Sequence, residues 1–217
     1  YSAADLSGKV ACKKALLQTF SFPQNFDTPV VGMISRLVDQ KGFDLVAAAL
    51  DRLLTLNVRF VILGSGYAPY EEYLTRLHTT FPEKIGVRLG FDDALAHQIE
   101  AGSDCFRMPS RYEPCGLNQL YSLRYGTIPI VRATGGLRDS VEPFNSATGQ
   151  GTGFVFQEAS GDALLTAVTE ALRVYGDRAA WRQLVQNAMR QDFSWERSAA
   201  RYIERYRQLL AAKPRPA

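Results

Sequence analysis

The groups with the most chemistry in this 217-residue chain are concentrated in one stretch, Pro109 to Gln119, which reads Pro-Ser-Arg-Tyr-Glu-Pro-Cys-Gly-Leu-Asn-Gln. It contains a carboxylate (Glu113), a rigid turn (Pro114), a thiol (Cys115) and a glycine (Gly116). An apolar strand-like run, Cys105 to Met108, leads in, and a helix-like run, Leu117 to Arg124, leads out. A loop that delivers the chain to a helix N-terminus meets free backbone N–H groups and the positive end of the helix dipole. That is a natural anion site. A carboxylate beside an anion site suits chemistry on a phosphorylated ligand, and the counter-charges must come from elsewhere. Arg36 and Lys41 lie in the loop Ser35 to Gly42. A guanidinium can grip phosphate with two hydrogen bonds, and an ammonium adds a point charge. By residue type alone they fit solvated surface cations equally well. Cys115 has no nearby histidine to activate it, which favours packing or positioning over nucleophilic attack.

These groups need elements to hold them. Pro29 to Ile34, Val58 to Leu63, Gly86 to Leu89, Cys105 to Met108, Thr127 to Val131 and Phe154 to Phe156 are short apolar runs that predict buried strands. Between the first two, Leu45, Val46, Ala49, Leu50, Leu53 and Leu54 recur at helical spacing. Further helices are predicted over residues 70–80, after Asp92 or Asp93 as cap, and from Gly135 through Val141. Three more follow over Ser160 to Tyr175, Arg178 to Arg190 and Trp195 to Leu210. Residues 1–28 read as a lead-in outside the core, with Asp5 or Ser7 capping a helix from Lys9 to Phe20. Ala211 to Ala217 reads as a mobile polar tail.

Strands alternating with helices predict an α/β fold with a parallel sheet and helices on both faces. Right-handed crossovers then gather the loops after the strands on one edge, where open sheets bind ligands. Those loops carry Arg36 and Lys41, the pair Gly64 and Gly66, Phe91, Glu113 to Gly116, and Thr134 to Leu137. Gly64-Ser65-Gly66-Tyr67 lacks the third glycine and the acidic ribose partner of the dinucleotide fingerprint. Phe91 fits a stacked base or, more simply, a ring covering the sheet edge.

Composition sets outer limits. Hydrophobic residues make up 46% and charged residues 22%, as in ordinary globular proteins. A net charge of +3 is too small to argue for nucleic-acid binding without a clustered patch. The arginines of the last helices alternate with apolar and acidic residues, so a solvated face accounts for them. Three cysteines without metal-type spacing and two isolated histidines predict neither disulfides nor a metal, and a reducing cytoplasm. No apolar stretch reaches membrane-spanning length.

Taken together in order, these motifs resemble the C-terminal part of bacterial glycogen synthases and plant starch synthases, retaining glucosyltransferases of the two-domain GT-B type. The matching segments are Ser35-Arg36-Leu37 through Gln40-Lys41-Gly42, Ile62 to Gly66, Gly90-Phe91, Pro109 to Gln119, Tyr125-Gly126-Thr127, and Thr134 to Asp139. The resemblance extends over most of the chain, about Tyr1 to Leu210. The neighbouring family that includes sucrose synthase has a second glutamate eight positions on, where this chain has Tyr121. The resemblance implies a Rossmann-like three-layer domain with a six-stranded, mainly parallel sheet, the C-terminal half of a GT-B fold. It divides the chain into a lead-in (1–28), a nucleotide-sugar-binding domain (29–192) and a crossover helix with tail (193–217).

The same resemblance implies roles. Arg36 and Lys41 would hold the donor's diphosphate, and Glu113 would be the active-site carboxylate beside the glucose. Cys115, Gly116, Leu117 and Asn118 would contact sugar and phosphate. Phe91 would stack on adenine without the hydroxyl of the family's usual tyrosine. Gly64, Tyr112, Thr134 and Gly135 complete the implied nucleotide-sugar set. The implied donor is ADP-glucose, with no cofactor and no metal. The acceptor glucan would be held by an N-terminal domain whose lysine-glycine motif and histidine are not in this sequence. A plastid replaces the cytoplasm if the source is a plant. Other expectations from different classes are a non-catalytic nucleotide-binding or assembly module and a GT-B enzyme using a UDP-sugar.

Overall fold

A computed structural model of the chain describes residues 1–212; of the expected tail, Ala211 and Ala212 continue the last helix, and residues 213–217 lie outside the described residues. Six strands form one sheet: β1 (Val30–Ile34), β2 (Arg59–Gly64), β3 (Ile85–Leu89), β4 (Cys105–Met108), β5 (Ile128–Arg132) and β6 (Phe154–Phe156). Their order is β3-β2-β1-β4-β5-β6, and every adjacent pair is parallel. The order reverses between β1 and β4, so the crevice above those two strands is the topological switch point.

Side chains alternate between the sheet's two faces, as the two-residue strand period requires. Val31, Met33, Phe60, Ile62, Cys105, Ile128 and Ile130 belong to one core. That core is covered by α2 (Phe43–Leu53), α3 (Ala68–Thr80), α7 (Gly161–Gly176) and α8 (Arg178–Met189). Val30, Val61, Leu63 and Phe106 enter a second core with α1 (Ser7–Thr19) and α4 (Asp93–Gly102). The apolar positions Leu45, Val46, Ala49, Leu50, Leu53 and Leu54 are all buried. Asp92 is the cap of α4, accepting from Leu95 N–H at 2.9 Å.

The structure corrects the first segment. Leu16, Leu17, Phe20 and Phe22 lie in the second core, so residues 1–28 do not stand outside it. Each fully buried Leu contributes about 2 kcal/mol of transfer free energy, which a loose lead-in would forgo. The N-cap of α1 is Leu6 and has no side-chain cap bond; Asp5 instead accepts from Ser7 N–H at 2.9 Å. Lys9 fastens α1 to the rest by donating to the carbonyls of Ala101, Ser103 and Tyr125 and to the Thr127 hydroxyl. At the other end, α9 (Trp195–Ala212) is surface-exposed and leaves Trp195, Tyr202, Tyr206 and Leu209 uncovered. Among the described residues no helix is long and apolar enough to cross a membrane.

Candidate functional site

The carboxyl edges of β1 and β4 bring the predicted carboxylate and one predicted cation together. Lys41 Nζ lies 2.5 Å from Glu113 Oε2. The same oxygen accepts the Ser110 hydroxyl at 3.3 Å. Glu113 is only 6% exposed, so its charge is compensated by Lys41 and Ser110 more than by bulk water. Both side chains line a cavity of about 230 Å³ with Ser35, Ser110, Asn118 and Arg107 among its walls. Gly116 and Leu117 complete the wall where α5 (Asn118–Tyr125) begins. Leu120 and Tyr121 N–H donate to the Leu117 carbonyl, the N–H groups before them have no intrahelical acceptor, and the helix dipole is positive there.

Backbone contacts fix the loop that carries Glu113. Gly136 N–H donates to the Glu113 carbonyl at 3.1 Å. Gly135 adopts φ +44°, and a Cβ there would stand 2.1 Å from that carbonyl oxygen. Only glycine fits both the conformation and the approach. Gly135 and Gly136 open α6 (Gly135–Ser140), so the glycine loop after β5 acts as a seat for the loop after β4. Arg132, at the end of β5, donates to the Ser110 carbonyl at 2.9 Å and also to the Arg111 carbonyl. Arg111 N–H donates to the Gln40 carbonyl at 2.9 Å, and its guanidinium pairs with Asp44. The cation loop and the carboxylate loop are therefore bolted together before any ligand arrives.

The other predicted site residues surround this centre without all entering it. Arg36 is exposed and donates to Gln40 Oε1 at 3.1 Å, leaving most of its fork free. Gly64 packs against the Ser35 carbonyl, where a Cβ would come within 1.8 Å. Its glycine is thus explained by the loop after β1 without invoking a ligand. Asn118 donates to the Ile34 carbonyl at 3.3 Å. Cys115 is exposed, with its thiol 3.4 Å from the Gly116 carbonyl. Tyr112 is exposed, and Thr134 precedes α6 without a side-chain capping bond. Phe91 is 92% exposed. A ring so exposed covers no sheet edge, which overturns the simpler expectation and leaves its face available.

Three residues escaped the sequence reading. Ser110 reaches the carboxylate and Arg132 clamps its loop, as described. Arg107 interrupts the apolar run from Cys105 to Met108, lines the cavity and is fully buried, with its guanidinium against the Phe60 ring. Burial pushes its guanidinium down to about 9, which leaves it charged at neutral pH. A charged residue inside an otherwise buried strand was the available signal.

Comparison with known proteins shows what the chain is similar to. The family model described as "Glycosyl transferases group 1" matches residues 18–188. A glycogen synthase of Anaeromyxobacter dehalogenans (strain 2CP-1) is 56% identical over 213 residues, covering 98% of this chain and 44% of that protein. One from Koribacter versatilis is 50% identical over 217 residues, covering 99% of this chain and 45% of its own length. This chain thus spans under half the length of the curated relatives it matches. Among solved structures, the catalytic domain of starch synthase IV from Arabidopsis thaliana, bound to ADP and acarbose, superposes with a TM-score of 0.87. It is 38% identical, with 96% of this chain and 44% of that one covered.

Proposed function

This chain belongs to the group 1 glycosyl transferases, and we propose that it is the ADP-glucose-binding part of a retaining α-1,4-glucan synthase. The observation that carries the reading is the meeting of Lys41 and Glu113 at the switch point between β1 and β4, beside the start of α5. Relatives called glycogen synthases, and a starch synthase solved with ADP, support the choice of donor.

In this reading the sugar C1–oxygen bond to the diphosphate breaks, and C1 bonds to the 4-hydroxyl at the non-reducing end of a glucan. The hydroxyl proton leaves with ADP. The developing charge on the diphosphate is the main barrier, and fixed donors are the remedy. Arg36 and Lys41 supply cations, and the N–H groups at Gly116 to Asn118 supply aligned dipoles. Glu113, held by Lys41 and Ser110, faces the sugar and stabilises positive charge on its ring. Phe91 offers a face to the adenine. ADP-glucose is a substrate here, and no cofactor enters. The acceptor is held by residues outside this chain in a cytoplasmic protein, so this chain alone binds the donor and transfers little glucose.

Product analysis with the N-terminal half of a glycogen synthase restored tests the reading. Elongation of maltooligosaccharides from ADP-glucose, lost in Glu113→Ala, is expected. Elongation that survives that substitution contradicts it, as does full glucan synthesis by these residues alone.

A further inference from the structure

One buried amide holds the turn that opens α5. Gln119, in the first turn of that helix, is 1% exposed. Its Nε2 donates to the carbonyls of Cys115 at 2.9 Å and Gly116 at 3.1 Å. It also donates to the Ser140 hydroxyl at 3.2 Å, and that hydroxyl donates to the Gly136 carbonyl at 2.5 Å. The reverse orientation of the amide would set its oxygen against both carbonyls, so its donor side is fixed. Oε1 is buried without a donor. It stands beside Gly116, where a Cβ would come within 2.4 Å of it on a backbone with φ +73°. Glycine at that position leaves the amide its place.

An apolar side chain of similar length would leave no oxygen of its own unpaired, but nothing would then hold the two carbonyls inward. What the amide fixes is the direction of two peptide units. A trans peptide is planar, and its C=O and N–H point opposite ways. With the Cys115 and Gly116 carbonyls turned onto Gln119, the N–H groups of Gly116 and Leu117 point away from the buried amide. Neither donates to an acceptor among the described residues. Gly116 and Leu117 line the cavity that contains Lys41 and Glu113.

We propose that Gln119 is a positioning residue of the donor site: it orients the Gly116 and Leu117 peptides so that their N–H groups meet the oxygens of the donor's diphosphate. This rests on the donor-binding reading above and adds a residue to which the resemblance assigned no role. Gln119 itself touches no ligand. Its link through Ser140 to Gly136 ties the same turn to the seat under Glu113, because Gly136 N–H holds the Glu113 carbonyl. The phosphate-facing donors and the carboxylate are thereby kept in one frame, and donors fixed in advance need not turn when charge develops.

Gln119→Met keeps the length of the side chain and removes both N–H donors. Gln119→Glu removes them while its carboxyl is ionised and returns one when it is protonated. Both variants are titrated by calorimetry with ADP and with pyrophosphate, beside the unsubstituted chain, at a temperature below the Tm of each. The expected result for Gln119→Met is binding of both probes weakened at least tenfold and by the same factor. Gln119→Glu shows that loss at about pH 9 and recovers part of it, relative to the unsubstituted chain, at about pH 5. If the methionine variant does not fold, the pH series of the glutamate variant decides, and a loss that pH leaves untouched overturns the proposal. A purely structural role lowers Tm and leaves both affinities of the folded protein as they were; that result overturns the proposal alone and spares the donor reading. A loss confined to ADP also overturns it, because it would set Gln119 against the base or ribose. No binding of either probe by the unsubstituted chain overturns the donor reading and this proposal with it.

Discussion

Lys41 and Glu113 are 72 positions apart in the chain, and their side chains meet with Nζ 2.5 Å from Oε2. The proposed reading assigns these two groups to opposite ends of one donor, phosphate and sugar, and under that reading a diphosphate must share or displace Glu113 to reach Lys41. The pair also prevents the free site from presenting an uncompensated buried carboxylate.

That competition makes Glu113→Gln informative. The amide keeps the shape and can still accept from Ser110, but it releases most of the attraction on Lys41. ADP affinity is expected to rise about three- to tenfold, since about 1 kcal/mol of pairing is freed. Glucosyl transfer in the complete enzyme falls at least a hundredfold, on the scale of removing one preorganised electrostatic group. Calorimetry on this chain and initial rates on the complete enzyme check the two halves. Weaker ADP binding in Glu113→Gln would count against a competing pair.

Gly135→Ala tests the seat beneath the carboxylate loop. The new Cβ would meet the Glu113 carbonyl oxygen at 2.1 Å, on a backbone with φ +44°. A cost of about 2 kcal/mol or more follows from strain and displacement together. Denaturant unfolding should show that loss, accompanied by weaker ADP-glucose binding. A variant as stable as the parent would show that the two loops are not tightly docked.

Phe91→Ala should leave the fold unchanged, because the ring is 92% exposed and has little packing to lose. Stacking on a base is worth about 1–3 kcal/mol, so ADP affinity should fall about tenfold. Binding of pyrophosphate should not change. Equal losses for ADP and pyrophosphate would remove Phe91 from the base site.

A pH-dependent stability term comes from Glu100 in α4, which is nearly buried and has no salt-bridge partner among the described residues. Burial raises its carboxyl from 4.5 to about 7. The folded state therefore binds more protons than the unfolded state between those values. Stability is fully present below pH 4.5 and is lost as pH rises through 7, by up to about 3 kcal/mol. Glu100→Gln should flatten that slope and raise Tm at pH 8. An unchanged slope in the variant would place the pH dependence elsewhere.

The fold was largely legible because its strands are short, β-branched and separated by amphipathic helices. Cys105 to Met108 and Phe154 to Phe156 are strands at the positions that their apolar runs predict. Of the candidate site residues, Lys41 and Glu113 are brought together at the sheet edge where the loops were expected to gather, while Arg36 stays exposed beside Gln40. What remained hidden depends on tertiary contact. Leu16 and Leu17 joining a core is invisible in a segment whose helical pattern is weak. Arg132 clamping two carbonyls leaves no local trace, because a cation at a strand end looks like any solvated one. Arg107 was hidden by its apolar neighbours. The roles of Gly64 and Gly135 as contact points between loops emerge only when those loops are placed side by side.

Calorimetric titration of this chain with ADP tests the central claim most directly, with Arg36→Ala and Lys41→Ala measured in parallel. Arg36 is exposed and its side chain touches only Gln40 among the hydrogen bonds described, so its truncation should not disturb the fold. The account predicts saturable binding at one site, weakened about tenfold or more in each variant, as expected when a charged hydrogen-bond partner of phosphate is removed. No heat with ADP, or equal affinity in all three proteins, would contradict it.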